Sequence, residues 1–308
     1  MFRTLQYLSE VYKEQSFSRA AEKLNLSQPS LSLTIKKFEE QIGLQLFDRS
    51  TIPIRLTEAG KVYMEGVRQI LAIENDLEVF LDDYNASRTG SLTVGTPHMF
   101  ASYLLPNLIA RFLQQFPFIN FKLVEADFHA LREMMLNGEI DLLIESHQFE
   151  ESLFRNYPIF NEQVLLAVPR TDPVNMHLEH CRLTVQDIRQ DAHKNPAHPT
   201  VGLSHFANHR FLLLRRGHDM YSRAMTFFKE YMIEPPVTMY LSQLMTIYNM
   251  VNNQLGVSLV TDTTVKLSAI DADIVFYTIK SEHTYRHINL AHKLHHYVSR
   301  PMRQFIDM

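Results

Sequence analysis

The residues best placed for chemistry are Gln28, Pro29, Ser30, Ser32, Leu33, Lys36 and Lys37, all within ten positions. Two lysine ammoniums can neutralise phosphates. The amide of Gln28 and the hydroxyls of Ser30 and Ser32 can reach phosphate oxygens or base edges. Leu33 is apolar among them and has the shape to meet a thymine methyl. Arg49 and Arg55 follow and bracket a turn, where an arginine can grip phosphate or enter a minor groove. Each residue alone has a plainer reading. Charged helix faces are solvated, single exposed leucines are common, and Arg49 has Asp48 or Glu58 within reach as a surface partner.

The elements that would position these groups follow from spacing. Phe17, Ala20, Ala21 and Leu24 fall at i, i+3, i+4 and i+7, which marks one buried helix face. Ser18 is its expected N-cap. Asn25-Leu26 breaks that helix, Ser27 caps a second, and Pro29 sits in its first turn, where the missing N–H costs no bond. Leu31, Ile35, Phe38 and Ile42 repeat at 4, 3, 4 and face the core. At about 100° per residue, Pro29, Leu33, Lys36 and Lys37 then point outward. Gly43 ends the helix. Two short extended runs around the 48–55 turn complete a winged helix-turn-helix, a unit that lays one helix in the DNA major groove. The unit is expected over 1–60, with the helix-turn-helix at 18–37 and the wing at 46–57.

Residues 58–87 predict one long helix. Tyr63, Val67, Ile70, Ile73, Leu77, Phe80 and Tyr84 recur at 4, 3, 3, 4, 3, 4. A helix of about 30 residues runs ~45 Å, and an apolar face of that length needs cover. A second copy supplies it, or the face packs on its own domain. Pairing would present two recognition helices to the half-sites of an inverted repeat.

Four motifs, Phe17-Ser18-Arg19-Ala20-Ala21, Leu26-Ser27-Gln28-Pro29-Ser30-Leu31-Ser32, Leu46-Phe47-Asp48-Arg49 and Leu56-Thr57-Glu58-Ala59-Gly60, together resemble the DNA-binding domain of the LysR-type transcriptional regulators. The resemblance continues more weakly to the C-terminus. It implies an α+β chain: winged helix-turn-helix, long linker helix, then a two-lobed α/β sensor domain of the periplasmic-binding-protein kind. It also implies a linker-helix homodimer, commonly a dimer of dimers, and contact with RNA polymerase. Leu33 stands where the family often carries a base-reading arginine.

After a polar hinge at 85–90, strand and helix patterns alternate to the C-terminus, as parallel strands with covering helices require. A helix is expected over 100–116 through Pro106, another over 241–251, and strands over 274–279 and 287–292 that return to the first lobe. The expected domain is 88–308, with lobe I at 91–162 and 268–308 and lobe II at 163–267. In such lobes small ligands sit at strand C-termini and helix N-termini. By position, Thr96, His98, Met99, Phe128, Ser146, Arg215 and Thr261 match the family's effector cleft. Arg215 is the expected grip on a carboxylate, with a surface pair to Asp219 as its alternative, and the expected effector is an anionic metabolite.

Bulk properties agree. The 308 residues are 45% hydrophobic and 21% charged, with no apolar run near the ~20 residues of a membrane span. The start lacks a signal-peptide pattern, and the single Cys181 cannot form an internal disulfide. A cytoplasmic protein is expected. The net charge is −4, so DNA affinity must come from local positive charge and from having two heads. No G-x-S-x-G, H-E-x-x-H or phosphate-loop motif occurs, so neither an enzyme nor a cofactor is expected. His205 with His209, and His177 and His180 with Cys181, have metal-like spacing, but no further ligands complete either set. Two other readings remain: an architectural DNA-bending protein without effector, and an enzyme with an attached DNA-binding head.

Overall fold

The computed structural model describes residues 2–85, 90–146, 149–269 and 272–308. Two compact units are present. One is built on residues 1–87 with the short segments 136–138 and 295–299; the other holds the rest. Of the expected polar hinge, 86–89 lie outside the described residues.

The first unit contains α1 (Phe2–Glu14), α2 (Phe17–Lys23), α3 (Gln28–Ile42), β1 (Phe47–Asp48), β2 (Arg55–Leu56) and α4 (Glu58–Asn85). Leu5, Leu8 and Val11 of α1 bury against Phe17, Ala20, Ala21, Leu31, Ile35, Leu46 and Phe47. The N-cap of α2 is Ser16, whose side chain accepts from the Arg19 N–H. Ser18, expected to cap, is an exposed residue inside the helix. The cap moved because Phe17 already has helical geometry and belongs to the buried face. Ser27 caps α3 and Gly43, at φ +70°, ends it, both as expected. Asn25, at φ +54°, makes the break between the two helices. At the start of α4, a Cβ on Gly60 would lie 2.0 Å from the Leu46 carbonyl oxygen. Only glycine lets the long helix approach the wing this closely.

The expected seam on α4 divides in two. Val67 is buried, and Tyr63 and Ile70 pack on the first unit's own core. Val67 is therefore corrected from a pairing surface to intradomain packing, and Tyr63 and Ile70 lend part of their surface to the same core, since the first turns of α4 cover the helix-turn-helix. Ile73, Leu77, Phe80, Leu81 and Tyr84 are exposed. Phe80 meets Tyr297 edge-on.

The second unit runs β3 (Gly90–Thr96), α5 (Leu105–Gln115), β4 (Ile119–Glu125), α6 (Phe128–Leu136), β5 (Leu142–Glu145), β6 (Phe154–Pro169), α7 (Val174–His177), α8 (Val185–Arg189), β7 (Phe211–Leu214), α9 (Asp219–Glu230), β8 (Val237–Leu241), α10 (Leu244–Asn252), β9 (Ser258–Thr261), α11 (Asp262–Leu267), β10 (Ile274–Thr278), β11 (Tyr285–Lys293) and α12 (Arg300–Ile306). β3 lies parallel between β4 and β5, and β11 joins β5 antiparallel. The long β6 serves both lobes. Its first part pairs with β11, and residues 164–169 pair with β9 and β10. β7 and β8 form a parallel pair.

Three expectations are corrected here. The 274–278 strand pairs with 165–169, so it belongs to the second lobe, and the return to the first lobe begins only at β11. A hydrophobic run predicts a strand but not its neighbour. Leu241 ends a strand rather than opening a helix, because Pro235 and Pro236 hide a short, half-exposed β8. The 100–116 helix is a π-helical turn over Phe100–Leu104 followed by α5, with Pro106 in the first turn of α5. The missing proline N–H prevents one continuous ladder.

Candidate nucleic-acid interface and ligand cleft

On α3, Gln28, Pro29, Ser30, Leu33, Lys36 and Lys37 are exposed and Ser32 is half-exposed. The opposite face carries Leu31, Ile35 and, unexpectedly, the buried Glu39. Caps at both ends and this packing hold the outward face rigid. Lys36 lies 3.8 Å from Glu40, one turn on. Lys37 has no ion-pair partner among the described residues. Ser27 is spent on capping, accepting from the Ser30 N–H at 3.4 Å.

The two wing arginines have different roles. Arg49 Nη2 donates to Glu39 Oε2 at 2.9 Å, Nη1 donates to Ser32 at 3.3 Å, and the guanidinium lies 5.0 Å over the Phe17 ring. Its expected surface partner, Asp48 or Glu58, is thus replaced by a buried carboxylate. Arg49 is a strut between wing and α3. Arg55 is exposed on β2, opposite Asp48. Hydrogen bonds from the Ser50 hydroxyl and N–H hold the Asp48 carboxyl below its ordinary range, with Arg55 adding a smaller Coulombic pull. Glu39 escaped the sequence reading, although its place four residues after Ile35 puts it on the buried stripe. A charge there signals a buried partner.

The second candidate site is a cleft of ≈ 610 Å³ in the second unit. The C-terminal ends of β3, β4 and β5 supply one wall, and the turn between β7 and α9, with residues 242–244, supplies the other. His98, Met99, Phe128, Ser146 and Arg215 line it, so five of seven expected positions are brought together. Thr96 and Thr261 do not line it. Thr96 is buried and donates to the Ile144 carbonyl at 3.0 Å, tying β3 to the chain beside it. Thr261 is buried and caps α11. Both hydroxyls are consumed by backbone geometry. His147 lies outside the described residues.

Arg215 does not pair with Asp219. Asp219 instead accepts from Arg223 at 2.7 Å and Arg286 at 3.2 Å. Arg286 is buried, also lies 2.7 Å from Glu162, and borders the cleft floor. Burial pushes the Glu162 carboxyl up, while Arg286 draws it back. This cation joins the crossing strand β6 to the first turn of α9 through side chains far apart in sequence, and no local pattern announced it. His98 Nδ1 lies 2.7 Å from Glu125 Oε1.

Three histidines of the histidine-rich segment make contacts within the fold. His193 Nε2 is 3.0 Å from Asp262, His198 faces the Cys181 carbonyl, and His209 Nε2 is 3.3 Å from Asp172. Asp191, His193 and Asp262 come close enough to share a metal. However, Lys266 Nζ already lies 2.6 Å from Asp191 and 3.2 Å from Asp262. An ammonium takes the place a cation would fill.

No helix among the described residues is long and apolar enough to cross a membrane. Residues 2–61 match the bacterial regulatory helix-turn-helix protein, lysR family, and residues 85–308 match the LysR substrate binding domain. The chain is 31% identical over 257 residues to the HTH-type transcriptional regulator YcgK of Bacillus subtilis, covering 83% of this chain and 78% of that one. It is 27% identical over 257 residues to the DNA-binding transcriptional dual regulator OxyR of Escherichia coli, covering 83% and 77%. In fold it resembles a full-length OxyR variant from Pseudomonas aeruginosa (TM-score 0.70, 24% identity, 100% of this chain and 93% of that chain). It also resembles full-length CbnR complexed with its target DNA (TM-score 0.59, 20% identity, 100% and 98%). With both domains matched in order across the chain, this protein belongs to the LysR family of bacterial transcriptional regulators.

Proposed function

We propose that the protein is a DNA-binding transcriptional regulator whose affinity or DNA geometry changes when a small molecule occupies the cleft between its two α/β lobes. The observation that carries this is the outward face of α3. Gln28, Ser30, Ser32, Leu33, Lys36 and Lys37 stand together on a capped, well-buried helix, with Arg55 on the adjacent wing. Lys36, Lys37 and Arg55 engage phosphate, while Gln28, Ser30, Ser32 and Leu33 meet base edges or neighbouring backbone. Ser18, Ser27, Pro29 and Arg49 shape this surface. Two copies joined along α4 read an inverted repeat in the cytoplasm, a dimer of dimers extends the contact, and RNA polymerase is the downstream partner. The ligand acts by favouring one of two lobe arrangements. No catalysis is assigned.

The peroxide response named for several relatives is not carried over. Cys181 is the only cysteine. It is 3% exposed, and burial pushes its thiol up, so little nucleophilic thiolate is present.

Mobility-shift titration against the DNA upstream of its own gene tests the reading. Binding should weaken with salt, and Lys36→Ala with Lys37→Ala should lower the salt slope of the dimer by about 3.6, the contribution of four phosphate contacts, two in each head. Absence of binding to that fragment at low salt, or an unchanged slope in the double variant, defeats the assignment.

A further inference from the structure

The cleft is charged asymmetrically. The wall from the first lobe presents Glu125, Asp127 and Glu145, and its one lysine or arginine among the lining residues is Arg286 of β11 at the cleft floor. The wall from the second lobe presents Arg215 and Arg216. The remaining lining charges cancel locally, because Asp219 is held by Arg223 and Arg286 and Arg286 is held by Glu162.

The groups left for a ligand differ on the two sides. Asp127 accepts one bond, from the Ala130 N–H at 3.0 Å, as the helix cap it is, and has no cationic partner among the described residues. Among the described residues, Glu125 has the imidazole of His98 beside it and no lysine or arginine. On the facing wall, Arg215 has no ion-pair partner among the described residues, and Arg216 has only the Tyr221 hydroxyl, at 3.3 Å. Behind them α9 begins at Asp219 with no side-chain cap on its first N–H groups, which adds positive potential. Met99, Phe128, Leu214 and Met220 supply apolar surface between the two charged ends.

Taking the cleft as the effector site, we infer that its ligand is a zwitterion of the amino-acid or short-peptide class. Its ammonium sits against Asp127 and Glu125, and its carboxylate against Arg215 and Arg216. A dicarboxylate would place one anionic end on a carboxylate wall, and a diamine would place one cationic end on the arginines. Each pays a repulsion that the zwitterion avoids. The purely anionic effector expected from Arg215 alone left this opposite wall out of account.

The test is calorimetric titration and thermal shift on the full-length protein. The probes are the standard L-amino acids, γ-aminobutyrate and glycylglycine, with succinate as the anionic arm and putrescine as the cationic arm. At least one zwitterion should bind and raise the melting temperature, and neither control should. Asp127→Asn keeps the helix cap and removes the charge. It should weaken that zwitterion about tenfold to a hundredfold, and Arg215→Gln should do the same. If succinate or putrescine binds as well as any zwitterion and Asp127→Asn or Arg215→Gln alters that binding, the ligand class is wrong and the cleft reading survives. If a zwitterion binds but neither substitution alters it, both this inference and the cleft reading fail. If no zwitterion binds at millimolar concentration, this inference fails.

Discussion

Arg49 and Glu39 meet at 2.9 Å, and the other oxygen of Glu39 accepts the N–H groups of Leu46 at 2.8 Å and Phe47 at 3.1 Å. One buried carboxylate therefore fixes the start of the wing to the recognition helix from behind. Removing it leaves two backbone donors and a guanidinium without their partner, which costs about 3 kcal/mol. Glu39→Ala should lower the unfolding free energy of the first unit by that amount, read as a lower midpoint in urea. Its DNA affinity should fall in proportion to the folded fraction. Lys37→Ala, on the solvent side of the same helix, should weaken DNA binding with the midpoint unchanged. Equal stability of Glu39→Ala and the parent would remove the strut.

The same distinction applies along α4. Val67 lies in the first unit's core at 1% exposure, whereas Leu77, ten residues on, is 58% exposed. Val67→Ala should cost about 2 kcal/mol of stability and leave the oligomeric state as it is. Leu77→Glu should leave the helix-turn-helix core intact and yield monomers by sedimentation, with a large loss of affinity for a two-half-site operator. Dimers that persist in Leu77→Glu would place the pairing surface elsewhere.

These residues also show what sequence could carry. The α3 pattern was legible because capping and period act within a few residues. Ser27, Pro29, Leu31, Ile35 and Gly43 each sit where local rules place them. The α4 stripe was legible as a stripe, but its division at Ile70–Ile73 was not, because the division depends on where the helix-turn-helix ends in space. In the cleft, positions at strand ends were found. Arg286 was missed, and Asp219 was given the wrong candidate partner, because their pairing crosses 67 positions of sequence. Thr96 and Thr261 looked available only because a sequence does not show which carbonyl or helix end will claim a hydroxyl.

Titration should distinguish the lysine cluster from a metal site. Hydrogen bonds from Lys266 first, and then Lys194, hold the Asp191 carboxyl down at about 2, against an ordinary 3.8. A depressed carboxyl favours the folded state above pH 3.8, and that contribution is lost as pH falls from 3.8 towards 2. Asp191 is half exposed, with a side-chain exposure of 52%, so solvent screening limits the effect to about 0.5–1 kcal/mol. Asp191→Asn should therefore be slightly less stable than the parent at pH 7, and the two stability curves should converge in acid. Destabilisation of the parent by a chelator at pH 7, absent from Asp191→Asn, would show that a metal holds this cluster instead.

Leu33 is 54% exposed on the face that otherwise carries Gln28, Ser30, Lys36 and Lys37. No core contact explains an apolar residue there, so its truncation should leave folding unchanged. If it meets a thymine methyl, Leu33→Ala loses that contact at one base pair in each half-site, and discrimination at that position should fall by about 1 kcal/mol, roughly fivefold. Binding to all other sequence variants should move little, because the phosphate contacts that dominate affinity are untouched. Selection of randomised operators by the parent and by Leu33→Ala reads this directly. A thymine preference that relaxes at one symmetric pair of positions is the expected outcome. Identical selected sequences would make Leu33 idle on DNA and leave direct base recognition to Gln28, Ser30 and Ser32.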